Sequence, residues 1–311
     1  MAIKGLKKIV RSVRDFGLGI AGVPALASPA KIPSIGLALG GGFARGIAHI
    51  GVLKVLEEAD IPVRFIAGTS VGALIGAAYC SGVSTEELEQ VAARVRFRDL
   101  ARWTLSRYGF ASNLRMLSFL NKLLKVKTFE ELRIPMAVTA TDFASGEGVV
   151  FRSGPLADPV RASCAYPGVF LPVTVDGRLL VDGMLAHSLP TKPVREMGAD
   201  RVIAVGLKSN WANGSLGPKH VFDVIGQCFA IAQNIGCAQA RQCADLVIEP
   251  DVSGYRYDDF EHSAELVLLG ETATRSALPE IRKWIEPAIA PTPVVAKAPR
   301  VTTVLKPVSP E

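Results

Sequence analysis

Ser70 stands where a serine could act as a nucleophile. In Gly68-Thr69-Ser70-Val71-Gly72 an apolar run, Arg64-Phe65-Ile66-Ala67, breaks at a glycine and a second apolar run begins. A G-x-S-x-G between a strand and a helix needs small flanking residues because the turn is tight, and it lifts the serine hydroxyl above the sheet at a helix N-terminus. The same five residues also suit a plain Ser N-cap, and alone they favour neither reading.

A second glycine stretch lies about thirty residues earlier. Ser34 to Leu39 reads as a short strand that ends in Gly40-Gly41-Gly42-Phe43-Ala44-Arg45-Gly46, after which Ile47 to Glu58 reads as helix. Such a loop exposes successive backbone N–H groups at a helix start and makes an anion site. It is not a nucleotide loop: Ile47-Ala48 stands where a P-loop needs Lys and Ser or Thr, and Arg45 occupies the last glycine of a dinucleotide template begun at Gly40. Both glycine stretches end early strands, so they can face one crevice, with Gly40, Gly41 and Gly42 as an oxyanion hole for Ser70. A plain βα turn is the alternative. A base is also needed. Thr174 to Val181 reads as a hairpin turning at Asp176-Gly177, and it runs into Asp182-Gly183. A carboxylate there can sit at the rim of the sheet and take a serine proton, although an Asp-Gly pair is more often only a turn.

The elements that must hold these groups alternate strand and helix. Phe65 to Thr85 is uncharged and long enough for a membrane span, but the elbow and Ser81-Gly82 break it, so it reads as a buried strand and helix. Ser84 and Glu87 form a helix-start pattern. Arg94 to Arg115 carries six arginines, one acid (Asp99), and Phe97, Trp103, Tyr108 and Phe110. It reads first as a solvated helical face, and second as a lid suited to phospholipid headgroups. Strands are expected at Pro135 to Phe143, Val149 to Arg152, Arg201 to Leu207 and Asp245 to Glu249, and helices at Pro155 to Ala165, Val221 to Ala240 and His262 to Ile285.

With 49% apolar and 21% charged residues, the 311-residue chain can bury a large core. Its net charge of +6 belongs to the ends: residues 1–31 hold six Lys or Arg against Asp15. The middle is near neutral, which argues against a nucleic-acid-binding globule. Five cysteines without a C-x-x-C read as buried free thiols, four histidines without metal spacing argue against a dedicated zinc site, and no cofactor is expected. Residues 3–16 place Ile3, Leu6, Ile9, Val10, Val13 and Phe16 opposite Lys4, Lys7, Lys8, Arg11 and Arg14. That amphipathic pattern fits a membrane-surface helix within residues 1–20, a helix docked on the protein's own core, or the charged start of a signal peptide. The expected division is a basic segment and linker at 1–33, a catalytic domain at 34–287, and a Pro-rich, disordered tail at 288–311.

The combination resembles the patatin-like phospholipase family, bacterial members in particular, from about Ile35 to about Trp284. The residues that carry the resemblance are Gly40 to Gly46, Gly68 to Gly72, Asp182-Gly183-Met184 and the stretch Ala162 to Pro172 before that aspartate. It implies a three-layer α/β/α fold around a mostly parallel sheet, and a Ser-Asp dyad, without histidine, acting on acyl esters of lipids. It also implies a lipid or phospholipid partner; separately, the expected setting is cytoplasmic, with a membrane surface met through residues 1–20. Two positions depart from the family pattern: Met184 replaces a small residue, and His187 stands where bacterial members commonly carry Asn. The expected scheme has Asp182 accept the Ser70 proton while Gly41 and Gly42 hold the oxyanion, with Arg45 steadying the loop or a phosphate. Two alternatives remain: a Ser-His-Asp esterase using His187, His220 or His262, and an inactive hydrolase scaffold that works as a membrane-associated binding protein.

Overall fold

The computed structural model describes residues 32–106, 109–207 and 221–285. The basic segment, the signal-peptide reading, the whole Pro-rich tail, Tyr108 and His220 lie outside them. In chain order the elements are β1 (Ile35–Leu39), α1 (Ala48–Glu58), β2 (Val63–Thr69), α2 (Val71–Cys80), α3 (Thr85–Arg94), α4 (Phe97–Leu100), β3 (Arg102–Ser106), β4 (Gly109–Ser112), α5 (Leu114–Leu123), β5 (Met136–Asp142), β6 (Gly148–Phe151), α6 (Ala157–Ser163), β7 (Val173–Val175), β8 (Arg178–Asp182), α7 (Met184–His187), α8 (Thr191–Glu196), β9 (Arg201–Val205), α9 (Val221–Arg241), β10 (Leu246–Ile248) and α10 (Ser263–Ile285).

The sheet runs β10-β9-β1-β2-β5-β8-β7, with β6 also paired to β5. From β10 to β5 every pairing is parallel, and β6, β8 and β7 add an antiparallel end. Alternation along each strand sorts side chains to two faces. Ile35, Leu37, Leu39, Ile66 and Ile203 meet residues of α1, α2, α6 and α10 in the main core. Ala38, Ala67 and Ala137 face the other way, under Val194 of α8. Ala204 packs with Cys237 of α9. Large residues on one face and small ones on the other make a three-layer α/β/α molecule with one helix layer seated closer than the other.

Strand β5 brings distant pieces together. One of its edges pairs with β6 over Val138 to Thr141. The other edge pairs with β2 up to Thr69↔Thr139, then with β8 from Ala140↔Asp182 onward. The C-terminal tips of β2 and β8 therefore meet head to head on one edge of β5. Ser70 follows the first tip and Asp182 is the last residue of the second.

The arginine-rich stretch departs from the expected helical face. It forms the short helix α4, the antiparallel ribbon β3–β4 and the start of α5. Trp103 and Phe110 favour extended backbone, Gly109 lies flush against the Phe170 backbone, and Phe110 and Ala111 hydrogen-bond to the 169–171 segment in sheet fashion. Among the cysteines, Cys80, Cys164 and Cys237 are buried thiols, whereas Cys228 and Cys243 are exposed. No described helix is long and apolar enough to cross a membrane, and the uncharged run from Phe65 forms the end of β2 and helix α2.

Candidate active site

Ser70 caps α2 with φ 55° and ψ −124°, a left-handed backbone that only a tightly determined turn holds on a non-glycine residue. Its neighbours leave it no alternative. A Cβ on Gly72 would collide with the Leu39 and Gly40 carbonyl oxygens, and one on Gly68 with the Ala73 backbone. The Ser70 N–H donates to Ser163 Oγ at 2.8 Å, which ties the elbow to the end of α6. Behind it, Thr69 Oγ1 donates to the His187 carbonyl at 2.6 Å, which leaves the Thr139 hydroxyl, 2.7 Å away, as donor to Thr69.

The Ser70 hydroxyl donates to Asp182 Oδ2 at 2.7 Å. The other carboxylate oxygen accepts the Met184 N–H at 2.9 Å, so both oxygens are held. The backbone is fixed as well: Asp182 N–H donates to Ala165 O at 2.9 Å, and Thr141 Oγ1 donates to Asp182 O at 2.9 Å. Asp182 is fully buried. Loss of water disfavours its charged form more than the two hydrogen bonds favour it, and its pKa rises from 3.8 to about 7. A carboxylate of that basicity takes a hydroxyl proton far more readily than an exposed one.

The three loop glycines are not equivalent. Gly40 N–H donates to Val205 O at 3.1 Å, continuing the β1–β9 pairing, so it is not an available oxyanion donor. This corrects its place in the expected hole. Gly41 N–H makes a longer bond of 3.3 Å to Ser188 O. Gly42 N–H has no backbone acceptor among the described residues. The loop is braced from below by His49 of α1, whose Nε2–H donates to the Gly40 carbonyl at 2.8 Å. Full burial lowers the His49 pKa to about 4, so the ring is neutral near pH 7 and carries its proton on Nε2.

A narrow cleft lies in front of Ser70, lined by Gly41, Gly42, Phe43, Arg45, Tyr166 and Met184 among others. Its cavity volume of about 20 Å³ holds little more than one water molecule. Arg45 is buried in its wall, where desolvation lowers its pKa. Phe43 and Tyr166 meet edge to face with centroids 4.8 Å apart, forming an apolar flank. Met184 is buried beside Ser70 and Asp182 and helps to exclude water from them. The His187 ring packs against Gly148 of β6, and burial together with Lys192 lowers its pKa. His262 pairs with Asp259. Among the described residues no histidine hydrogen-bonds to Ser70 or Asp182.

The family model described as Patatin-like phospholipase matches residues 37–195, about half of the chain. The chain belongs to the patatin-like phospholipase family. An uncharacterized NTE family protein of Mycobacterium tuberculosis is 38% identical over 183 residues, covering 58% of this chain and 51% of the relative. Patatin-like phospholipase domain-containing protein 6 of Homo sapiens is 36% identical over 189 residues, covering 57% of this chain and 13% of the relative. This chain thus spans about half the length of the first relative and a small part of the second. Among solved structures, VipD from Legionella pneumophila superposes with a TM-score of 0.54 at 14% identity, covering 81% of this chain and 68% of that one, a likeness of fold.

Within this patatin-like domain several supporting residues carried no readable role in the sequence. Ser163 stood only as one small residue in the Ala162 to Pro172 stretch, and its acceptor role depends on α6 ending beside the elbow. His49 falls inside the helix expected at Ile47 to Glu58, and its position one turn beyond the glycine loop was the available signal. His49→Ala is expected to lower stability by about 2 to 4 kcal/mol, from a lost hydrogen bond plus a cavity. It should also lower kcat more than it raises KM, because the loop it braces faces the reacting centre. Thermal unfolding and steady-state kinetics on a soluble ester check both.

Proposed function

We propose that the chain is a serine acyl-ester hydrolase of the phospholipase A or lysophospholipase type, working through Ser70 and Asp182 without a histidine. The observation that carries this reading is the 2.7 Å hydrogen bond from the Ser70 hydroxyl to a fully buried carboxylate whose pKa is raised to about 7. In the first half-reaction Asp182 takes the hydroxyl proton as Ser70 Oγ bonds to the ester carbonyl carbon. The resulting oxyanion is held by the Gly42 N–H and by the Gly41 N–H, which gives up its 3.3 Å bond to Ser188. Each such donor contributes about 3 to 4 kcal/mol of barrier reduction. When the carbonyl re-forms, the ester C–O bond breaks and the departing alkoxide takes the proton from Asp182. In the second half a water gives a proton to Asp182 and attacks the acyl carbon, and that proton returns to Ser70 as the fatty acid leaves.

Lipid as the substrate class is supported by family membership and by the apolar wall of Phe43, Tyr166 and Met184. A phosphate-bearing lipid is supported by Arg45, a cation in the same wall. A fluorophosphonate probe should label the parent protein at Ser70, with the adduct located by peptide mass analysis, and a panel of diacyl, lysophospholipid and neutral glyceride substrates should identify the acyl donor. A folded protein that neither reacts with the probe nor releases fatty acid from any lipid would return the scaffold reading to first place.

A further inference from the structure

The β3–β4 ribbon with its flanking helices exposes what soluble surfaces usually hide. Trp103 is 72% exposed, Leu114 62% and Phe110 48%. Arg102 and Phe110 share one side of the ribbon through the Arg102↔Ser112 register, and Trp103 takes the other side against Phe97, with centroids 5.9 Å apart. Arg98, Arg102 and Arg115 surround these apolar groups and are exposed. None of the three forms an ion pair among the described residues; the Arg115 guanidinium donates instead to the Arg98 and Ala101 carbonyls. Large apolar side chains ringed by uncompensated arginines form a poor surface for water and a good one for the boundary of an anionic bilayer. There Trp lies at headgroup depth and each guanidinium meets phosphate.

The ribbon is also bound to the cleft. Phe110 and Ala111 N–H groups both donate to Val169 O, and Leu171 N–H donates back to Ala111 O at 3.0 Å. Phe97 packs on Phe170 with centroids 5.8 Å apart. The Val169 and Phe170 N–H groups donate in turn to the carbonyl of Tyr166, a residue of the cleft wall. A surface that engages the ribbon is thus held a few residues from Ser70. The cleft itself is too small to enclose a whole diacyl lipid, so such a substrate must be drawn from a phase lying against the protein.

We propose that the β3–β4 ribbon, with Trp103, Leu114 and the arginines around them, is the docking surface that sets the cleft against an anionic lipid bilayer. The inference rests on the lipid-hydrolase reading for its purpose, but its test does not. Full-length protein carrying Ser70→Ala, which cannot turn over the vesicles, is titrated with phosphatidylcholine vesicles and with vesicles that also contain phosphatidylglycerol, some of each doped with a brominated lipid. Binding is expected to the anionic vesicles, with tryptophan quenching that disappears in Trp103→Phe although the other two tryptophans remain. Arg98→Gln with Arg102→Gln should weaken partitioning roughly thirtyfold, two arginines each contributing near the surface. In the Ser70 background these variants leave turnover of a water-soluble short-chain ester unchanged and keep the parent's melting temperature. Quenching that persists in Trp103→Phe, or equal partitioning of the arginine pair, overturns the proposal. The Ser70→Ala background keeps the two questions apart: vesicle binding without any ester hydrolysis by the Ser70 protein would sink the enzymatic reading and leave the docking surface standing.

Discussion

Ser70→Ala and Asp182→Asn are each expected to lower turnover of a soluble ester by about 10⁴-fold or more, while His187→Ala and His262→Ala stay close to the parent. The reasoning is geometric. Ser70 hydrogen-bonds directly to Asp182, the His187 ring packs on Gly148, and His262 is paired with Asp259. Removing the nucleophile leaves only the oxyanion donors and binding, and nucleophile and base act as one unit whose separate deletions cost nearly as much as their joint deletion. The double variant should therefore be no slower than either single variant by more than a small factor. Asn is the informative replacement at 182 because it keeps the shape and removes the proton acceptor. Initial rates with an activated ester, corrected for the uncatalysed reaction, separate the schemes. A histidine variant that loses as much as Ser70→Ala, with its fold intact, would reinstate the triad alternative.

The elbow was legible in the sequence because its constraint is local: five residues must thread a turn whose flanks collide with Leu39, Gly40 and Ala73 if any Cβ is added at Gly68 or Gly72. The alternation of strands and helices was legible for the same reason, since burial on each face imposes a period within single segments. Residue Asp182 was legible only as an aspartate after a strand. What makes it the partner of Ser70, 112 residues away, is the edge of β5 shared by β2 and β8, and a register is not written in either strand alone. Gly40 shows the converse. A glycine run signals exposed N–H groups, but which of them the sheet consumes depended on Val205, far along the chain. The arginine-rich stretch misled because charge spacing was read without its partner: its second strand is shaped by the Val169–Leu171 backbone, which no local pattern announces.

At pH 8, Asp182→Asn is expected to unfold at a higher temperature than the parent, by roughly 10 °C, with the gap closing as the pH falls to about 4. The Asp182 carboxyl titrates near 3.8 when the chain is unfolded and near 7 when folded, because burial penalises its charge. Between those values the folded state holds a proton that the unfolded state has released, so stability falls as pH rises across the window. Below it both states are protonated and the full stability is present; above it both are ionised and the loss is constant, at roughly 4 kcal/mol. An amide at 182 never ionises. It can still accept the Met184 N–H and point its NH₂ at the Ser70 oxygen, so it escapes the penalty without opening the site. His49 titrates in the same range with the opposite sign: its folded value of about 4 lies below the ordinary 6.5, so it costs stability as the pH falls. It is present in both proteins and cancels in their difference. Unfolding midpoints of parent and variant, followed from pH 4 to 8, should therefore give a difference curve that rises from zero through the window and flattens above about 7. A flat difference near zero would mean that Asp182 is not held desolvated and that Ser70 lacks a base strong enough to activate it. A gap that opens as drawn, in the same variant that abolishes turnover, would mark the buried carboxylate as a group kept for chemistry at the expense of stability.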